Sequence, residues 1–256
     1  MPTDNYAVCR NGYYSPLKFQ GNKKHHAGNV ATNRNIAISP NTISTKKQNV
    51  KKHLFILIAI FLLALTACQP SDAFTAEERE FILSGSVDEP FRVLQITNQE
   101  DSIRLRALSV NIRNYENDSV FQHFIKRLKS TLHATGGVGI AASQVGIKRN
   151  VFLFMRIELP DEPIVVAINP RIIATPDTTI CFRNDGCLSI PRIRGNSTRY
   201  PWIEVEYFNL KGEKITEKLI GYNRPNNFTN IIFQHEYDHT KGVWFIDRLC
   251  EITENL

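Results

Sequence analysis

The hydrophobic positions along this 256-residue chain change their period several times, and each change marks an element. Phe121, Phe124, Ile125, Leu128 and Leu132 recur at i, i+3, i+4, i+7 and i+11, which predicts an amphipathic helix over residues 119–134. Residues 150–157 and 164–169 are β-branched and aromatic and predict two strands. Ile203, Val205 and Tyr207 alternate with Glu204 and Glu206, the pattern of a half-buried strand, and Lys211-Gly212 turns it into a partner at 214–219. Thr75 ahead of Glu77, Glu78, Arg79 and Phe81 predicts a short capped helix. Asn226 and Asn227 are N-cap candidates for a last long helix, with Gly242 as its stop. Several strands with two longer helices indicate an α+β domain over residues 74–256, without a Gly/Ser linker or internal repeat.

The run Leu54–Leu65 is apolar without any period. Lys51-Lys52-His53 precede it and Thr66-Ala67-Cys68 follow. It is shorter than the roughly 20 residues a bilayer span needs. A basic start, a short apolar stretch and small residues have the layout of an export signal. Leu65-Thr66-Ala67-Cys68 resembles the lipobox of bacterial lipoproteins, which implies cleavage before Cys68, lipidation of its thiol, and an exported enzyme or binder anchored to a membrane of the bacterial envelope. An uncleaved signal anchor of the same orientation stays open, as does a cytoplasmic location if the signal is unused. Residues 50–68 are thus a lipoprotein-type signal. Residues 1–49, rich in Asn, Lys, Ser and Thr, read either as a disordered tail or as a stretch upstream of a true start at Val50.

Charge changes the picture once its distribution is seen. The chain carries 31 Lys and Arg, 25 Asp and Glu, and a formal charge of +6. Residues 1–53 hold nine of the bases and one acid, leaving 22 bases and 24 acids, a formal −2, on the rest. The body is not basic, and the electrostatic case for a nucleic-acid partner fails. Five cysteines are too few for a disulfide scaffold, and their spacing does not decide whether Cys181 and Cys250 pair.

The chemistry concentrates in three motifs. In His235-Glu236-Tyr237-Asp238-His239 the two histidines share one helical face and can reach one metal, with Glu236 beside them to accept a proton from metal-bound water. The flanking Ile231, Ile232 and Phe233 predict a buried helix, in which such charges need a partner. One large class of zinc proteases extends this motif to a third histidine; that position here is Phe245, so the missing ligand is sought upstream. Cys187, in Asp185-Gly186-Cys187-Leu188-Ser189, is the candidate, because a thiolate with two imidazoles leaves a tetrahedral ion one open position. Taken alone, it also reads as a buried small hydrophobe.

The third motif is Gly137-Val138-Gly139-Ile140-Ala141-Ala142-Ser143-Gln144. A dinucleotide-binding turn would need a strand before it and a helix after, the reverse of what the pattern predicts. Two readings stay open: a tightly packed Gly-rich turn, or a strand lying against a substrate with the Gln144 amide aimed at an oxyanion.

In this order and spacing the three motifs resemble peptide deformylase, whose family shows G-x-G-x-A-A-x-Q, E-G-C-L-S and Q-H-E-x-D-H; the likeness covers roughly residues 90–250. The resemblance implies an α+β fold with antiparallel sheets around a central helix bearing the H-E-x-x-H motif. It implies that Cys187, His235 and His239 hold one divalent metal, usually Fe2+, with Zn2+, Ni2+ or Co2+ able to replace it. It implies that Glu236 is the base, and that the Gln144 amide and the Leu188 N–H join the metal at the oxyanion. A formyl-methionyl peptide would pair with Val138-Gly139 and place its methionine against Phe228, Ile231, Ile232 and Arg194, releasing formate. The enzyme is expected to be a monomer.

Two positions depart from the family pattern. Asp185 stands where the family has glutamate, and Thr240 where leucine usually follows the last histidine. Neither removes a ligand or the base. The export signal conflicts with a family that acts on nascent chains. The readings that reconcile them are a deformylase of secreted or scavenged formyl peptides, or an exported binder of formylated peptides with little turnover. Outside the cytoplasm, oxidants would threaten Cys187 and ferrous iron and favour zinc.

Overall fold

The computed structural model describes residues 74–223 and 227–252. The export signal with Cys68, the segment ahead of it and Asn226 lie outside them. The described chain opens with two short helices, α1 (Ala76–Leu83) and α2 (Gln99–Leu105), followed by α3 (Ser119–Thr135). A capping box starts α1: the Thr75 hydroxyl accepts from the Glu78 N–H, and the Glu78 carboxylate accepts from the Thr75 N–H. Asp118 caps α3 through the Val120 and Phe121 N–H groups, and Gly136 at φ 62° ends it.

Strands β1 (Gly139–Ala141), β2 (Val151–Met155), β3 (Ile164–Ala174), β6 (Trp202–Phe208) and β7 (Lys214–Ile220) form one antiparallel sheet in the order β1-β2-β3-β6-β7. Strands β4 (Ile180–Cys187) and β5 (Ile190–Arg199) form a separate hairpin. Helix α4 (Thr229–Thr240) and a 3₁₀ turn at Phe245–Arg248 complete the chain. A disulfide joins Cys181 on β4 to Cys250, with the two Cα atoms 5.9 Å apart. Among the described residues, no helix is long and apolar enough to cross a membrane.

The apolar run of β2 reflects burial on both faces. Val151 and Leu153 join the cluster under α3, built on Phe121, Phe124, Ile125, Leu128 and Leu132. Phe152 and Phe154 point the other way and meet Phe233 of α4 edge-on, at ring-centroid distances of 4.9 and 5.3 Å. One sheet thus separates two helices.

Three elements differ from the sequence pattern. β3 continues past Asn169-Pro170 to Ala174, because Asn169 turns to φ 52° and the strand kinks there without ending. The Asn169 side chain holds the kink by accepting from the Ile112 N–H and donating to the Ile112 carbonyl. The register with β6 shifts at the same place. Asn227 is not the N-cap of α4: Phe228 occupies that position, and the Asn227 side-chain oxygen accepts from the Thr229 N–H one step earlier. Gly137–Gln144 is not one strand: β1 is three residues long, and Ala142–Val145 is a 3₁₀ turn. Gly242 does follow the last helix, at φ 67°.

Candidate metal centre and cleft

Helix α4 is buried on nearly every side; only Tyr237 is half exposed. Its polar side chains therefore need partners from other elements. Gln234 exchanges two hydrogen bonds with the Tyr200 backbone, each 2.9 Å, and Asn230 donates to the same Tyr200 carbonyl at 2.8 Å. Asp238 accepts from Arg199 Nη1 at 2.6 Å, and from Arg248 Nε and Nη2 at 2.6 and 2.7 Å. These contacts fix the rotation of the helix about its axis.

That rotation carries His235 and His239 to the end of β4. One donor atom each of Cys187, His235 and His239 lies within 4.8 Å of the others. Cys187 Sγ stands 3.2 Å from His239 Nε2. His235 turns its Nδ1 to Asp185 Oδ1 at 3.2 Å, which leaves Nε2 for the cluster. Asp185, though shorter than glutamate, reaches His235, the Ser197 hydroxyl at 2.6 Å and Arg199 Nη2 at 2.9 Å at once. Phe245, which fills the third-histidine position of the protease motif, stacks on the His235 ring at 6.3 Å. Thr240 is buried and donates to the Tyr237 carbonyl at 2.7 Å, so its hydroxyl is satisfied.

The electrostatics suit a cation. Burial pushes the Cys187 thiol up, but His239 and His235 outweigh it and bring the value down to about 5. Burial opposes a charge on His235, yet Asp185 and Cys187 raise it well above the ordinary histidine value. Asp185, despite its burial, is held far below the usual carboxylate range by His235 and then Arg199. Glu236 behaves oppositely. Burial raises it to about 7, and its Oε2 finds no partner among the described residues. His239 Nδ1 is likewise buried and unpartnered among them. A thiolate, two imidazoles and an unsatisfied carboxyl are the donor set and neighbour that a tetrahedral metal with an open position requires.

A cleft of about 320 Å³ opens beside this cluster. Val138, Gly139, Gln144, Cys187, Leu188, Arg194, Phe228, Ile231, Ile232, His235 and Glu236 all line it, so the sequence-derived site residues converge on one place. His239 completes the ligand cluster from behind the lining. Gln144 is oriented at both ends: its oxygen accepts from the Ala141 N–H at 2.8 Å, and its nitrogen faces Cys187 Sγ at 3.6 Å and Ser189 Oγ at 3.3 Å. Gly139 has no room for a side chain, since a Cβ there would lie 2.6 Å from Glu236 Oε1. Among the described residues, β1 is an edge strand, paired to β2 on one side only.

Other residues of the site escaped sequence reading. Arg199, Ser197 and Arg248 join Asp185 and Asp238 in one hydrogen-bonded network, buried except for the exposed Arg248 side chain. Gln95 donates to the Leu188 carbonyl at 3.0 Å, and Leu94 N–H to the Gln144 carbonyl at 2.8 Å. A buried arginine gives no periodic signal.

An α+β frame with a Cys-His-His cluster and a buried glutamate beside an edge strand defines a metal-dependent hydrolase. Residues 93–255 match the sequence profile of the family described as polypeptide deformylase, and the chain belongs to that family. The peptide deformylase of Thermotoga neapolitana is 38% identical over 133 residues, covering 52% of this chain and 74% of that protein. The one from Desulforudis audaxviator is 32% identical over 160 residues, covering 62% and 96%. Among solved structures, the peptide deformylase of Thermotoga maritima superposes with a TM-score of 0.55 at 31% identity, covering 64% of this chain and 99% of that one. A class I type b peptide deformylase from Acinetobacter baumannii, bound to Met-Ala-Ser, superposes with a TM-score of 0.53 at 30% identity, covering 63% and 99%.

Proposed function

We propose that Cys187, His235 and His239 hold one divalent metal ion and that Glu236 works beside it in removing the N-formyl group from formyl-methionyl peptides. The chain is a hydrolase of the peptide deformylase kind, and its products are formate and a free N-terminal amine. What carries the assignment of roles is the convergence of three ligand atoms within 4.8 Å beside a buried carboxylate with an unpartnered oxygen. When bound, the metal supplies Lewis acidity and lowers the pKa of water. Glu236 takes the proton from the attacking water and returns it to the leaving amine. The Gln144 amide, held by the Ala141 N–H, donates to the developing oxyanion, and the Leu188 N–H is its second donor. The peptide adds to the open edge of β1 at Val138-Gly139, and its methionine lies against Phe228, Ile231 and Ile232. In this reading α4 is the central metal-bearing helix, and residues 74–256 are the catalytic domain. A mere binder of formylated peptides would have no use for Glu236, whose buried Oε2 is without a partner among the described residues, a costly arrangement.

We also propose that the enzyme works outside the cytoplasm, anchored by lipid at Cys68. The lipobox-like Leu65–Cys68 supports this, and so does the Cys181–Cys250 disulfide, a bond that persists in oxidising compartments. There zinc would hold the site against oxidation better than the ferrous iron usual in the family. Formate release from a formyl-Met tripeptide by metal-replete protein, with Glu236→Gln as control, tests the activity; release by both or by neither overturns the assignment. Envelope fractionation with lipid labelling of the parent and of Cys68→Ala tests the anchor, and a soluble, unlabelled parent overturns it. Metal analysis of protein from its native envelope tests the ion, and iron alone counts against zinc.

A further inference from the structure

We propose that Arg192 and Arg194 form a carboxylate clamp at the mouth of the cleft, which makes short formylated peptides with a free C-terminus the preferred substrates; the proposal rests on the deformylase reading. The observation behind it is a sorting of charge. Five charged or titratable side chains other than cysteine line the cleft: Asp185, Arg192, Arg194, His235 and Glu236. Asp185, His235 and Glu236 are buried, and Asp185 is neutralised from within by Arg199 and His235. Arg192 and Arg194 are exposed, and among the described residues neither has an ion-pair or hydrogen-bond partner. Among the described residues, the exposed charge that the cleft shows to an arriving ligand is therefore wholly positive.

The hairpin is built to present these two groups. Arg194 pairs with Gly186 across β4 and β5, but the next step of the ladder pairs Cys187 with Ile190, so residues 191–193 bulge out. Arg192 sits in the bulge at φ 66°, a conformation that side chains rarely adopt and that persists where the surrounding structure imposes it. Arg194 folds over the opposite strand: a Cβ on Gly186 would lie 2.9 Å from Arg194 Nη1 and 3.0 Å from its Cδ. Its side chain thus lies against the residue that precedes Cys187. A peptide running out along β1 with its formyl end at the metal cluster advances about 3.3 Å per residue, and in this proposal its third residue lies beside these two arginines of the cleft lining. A C-terminal carboxylate there meets two guanidinium groups, the side chains best suited to bind it by paired hydrogen bonds. A long nascent chain presents no such group at that point.

The test is the ratio of kcat/KM for formyl-Met-Ala-Ser with a free carboxylate to that for its C-terminal amide, using metal-replete full-length protein. The expected ratio is about 10, expressed in KM and diminished by salt, as for an exposed charge-assisted contact. Arg192→Gln should bring it towards 1, and Arg192→Glu should invert it. A parent ratio near 1, or one that Arg192→Glu leaves in place, overturns the proposal. So does a preference for formyl-Met-Ala-Asp-amide over formyl-Met-Ala-Asn-amide without any preference for free acid over amide, which would assign the arginines to a side-chain carboxylate. Calorimetric binding of the product Met-Ala-Ser, as acid and as amide, reads the clamp without turnover. Tighter binding of the acid in a protein that releases no formate would uphold the clamp and defeat the deformylase reading instead.

Discussion

Helices α3 and α4 pack on opposite faces of the same sheet, yet they are different kinds of object. α3 sinks one stripe, Phe121, Phe124, Ile125, Leu128 and Leu132, into the core and leaves Lys126 exposed to water. α4 is buried on nearly every side and carries Asn230, Gln234, His235, Glu236, Asp238 and His239 into that burial. The first stabilises the fold by removing apolar surface from water. The second consumes part of that stability to hold polar groups where water cannot relax around them. A helix with no polar face to spare has been given over to chemistry, and the fold tolerates it because the β4–β5 hairpin and Arg248 satisfy Asp238 and His235 from outside.

The sharpest way to separate the two helices is to change one atom of α4. Glu236→Gln should lower kcat/KM by about 10²–10⁴-fold with metal content unchanged and no loss of stability, since Glu236 Oε2 has no partner among the described residues to lose. Steady-state kinetics with metal analysis and a thermal melt check all three. Asp238→Asn should cost about 3–5 kcal/mol in urea unfolding, because Arg199 is left buried with half its partners. It should also weaken metal retention, because Arg199 helps hold the Asp185 that orients His235. Leu128→Ala on α3 should cost about 2–5 kcal/mol without that loss of metal. If Leu128→Ala released the metal as readily as Asp238→Asn, the division between the helices would collapse.

A smaller effect lies in pH. In chelated protein Glu236 holds its proton up to about pH 7, against an unfolded value of 4.5, so the folded state binds more protons between these limits. Its contribution is fully present below about pH 4.5 and is lost as pH rises through 7, by up to about 3 kcal/mol. Cys187, brought down from 9 to about 5, tilts stability the other way between those two values. The difference in melting between parent and Glu236→Gln from pH 5 to 8 isolates the glutamate, and a flat difference would refute its burial as an acid. At the bottom of the scale, Lys126→Ala on the wet face of α3 should stay within about 0.5 kcal/mol of the parent by urea titration.

The same contrast explains what could be read in the chain. α3 announces itself because burial on one side writes a period into the sequence. α4 has no clear stripe and was legible through His235, Glu236 and His239, whose spacing is chemical. The partners of those residues were not legible. Asp185, Arg199 and Arg248 meet His235 and Asp238 from positions 10 to 50 residues away, and no local pattern records such a meeting. Strands β4 and β5 were missed because their polar, arginine-rich residues alternate without an apolar face. β3 appeared to stop at Asn169-Pro170 because a kink and an ending use the same residues.

The disulfide between Cys181 and Cys250 has a topological consequence. The ring it closes, with a sequence separation of 69, contains Cys187, His235, Glu236 and His239. It also contains the exposed turn at Lys211-Gly212, between Cys187 and the two histidines. A trypsin-like protease that cuts there divides the polypeptide but not the molecule, because the bridge still links the fragment bearing Cys187 to the one bearing both histidines. Such a clip would be silent on a non-reducing gel and appear as two bands only after the disulfide is opened.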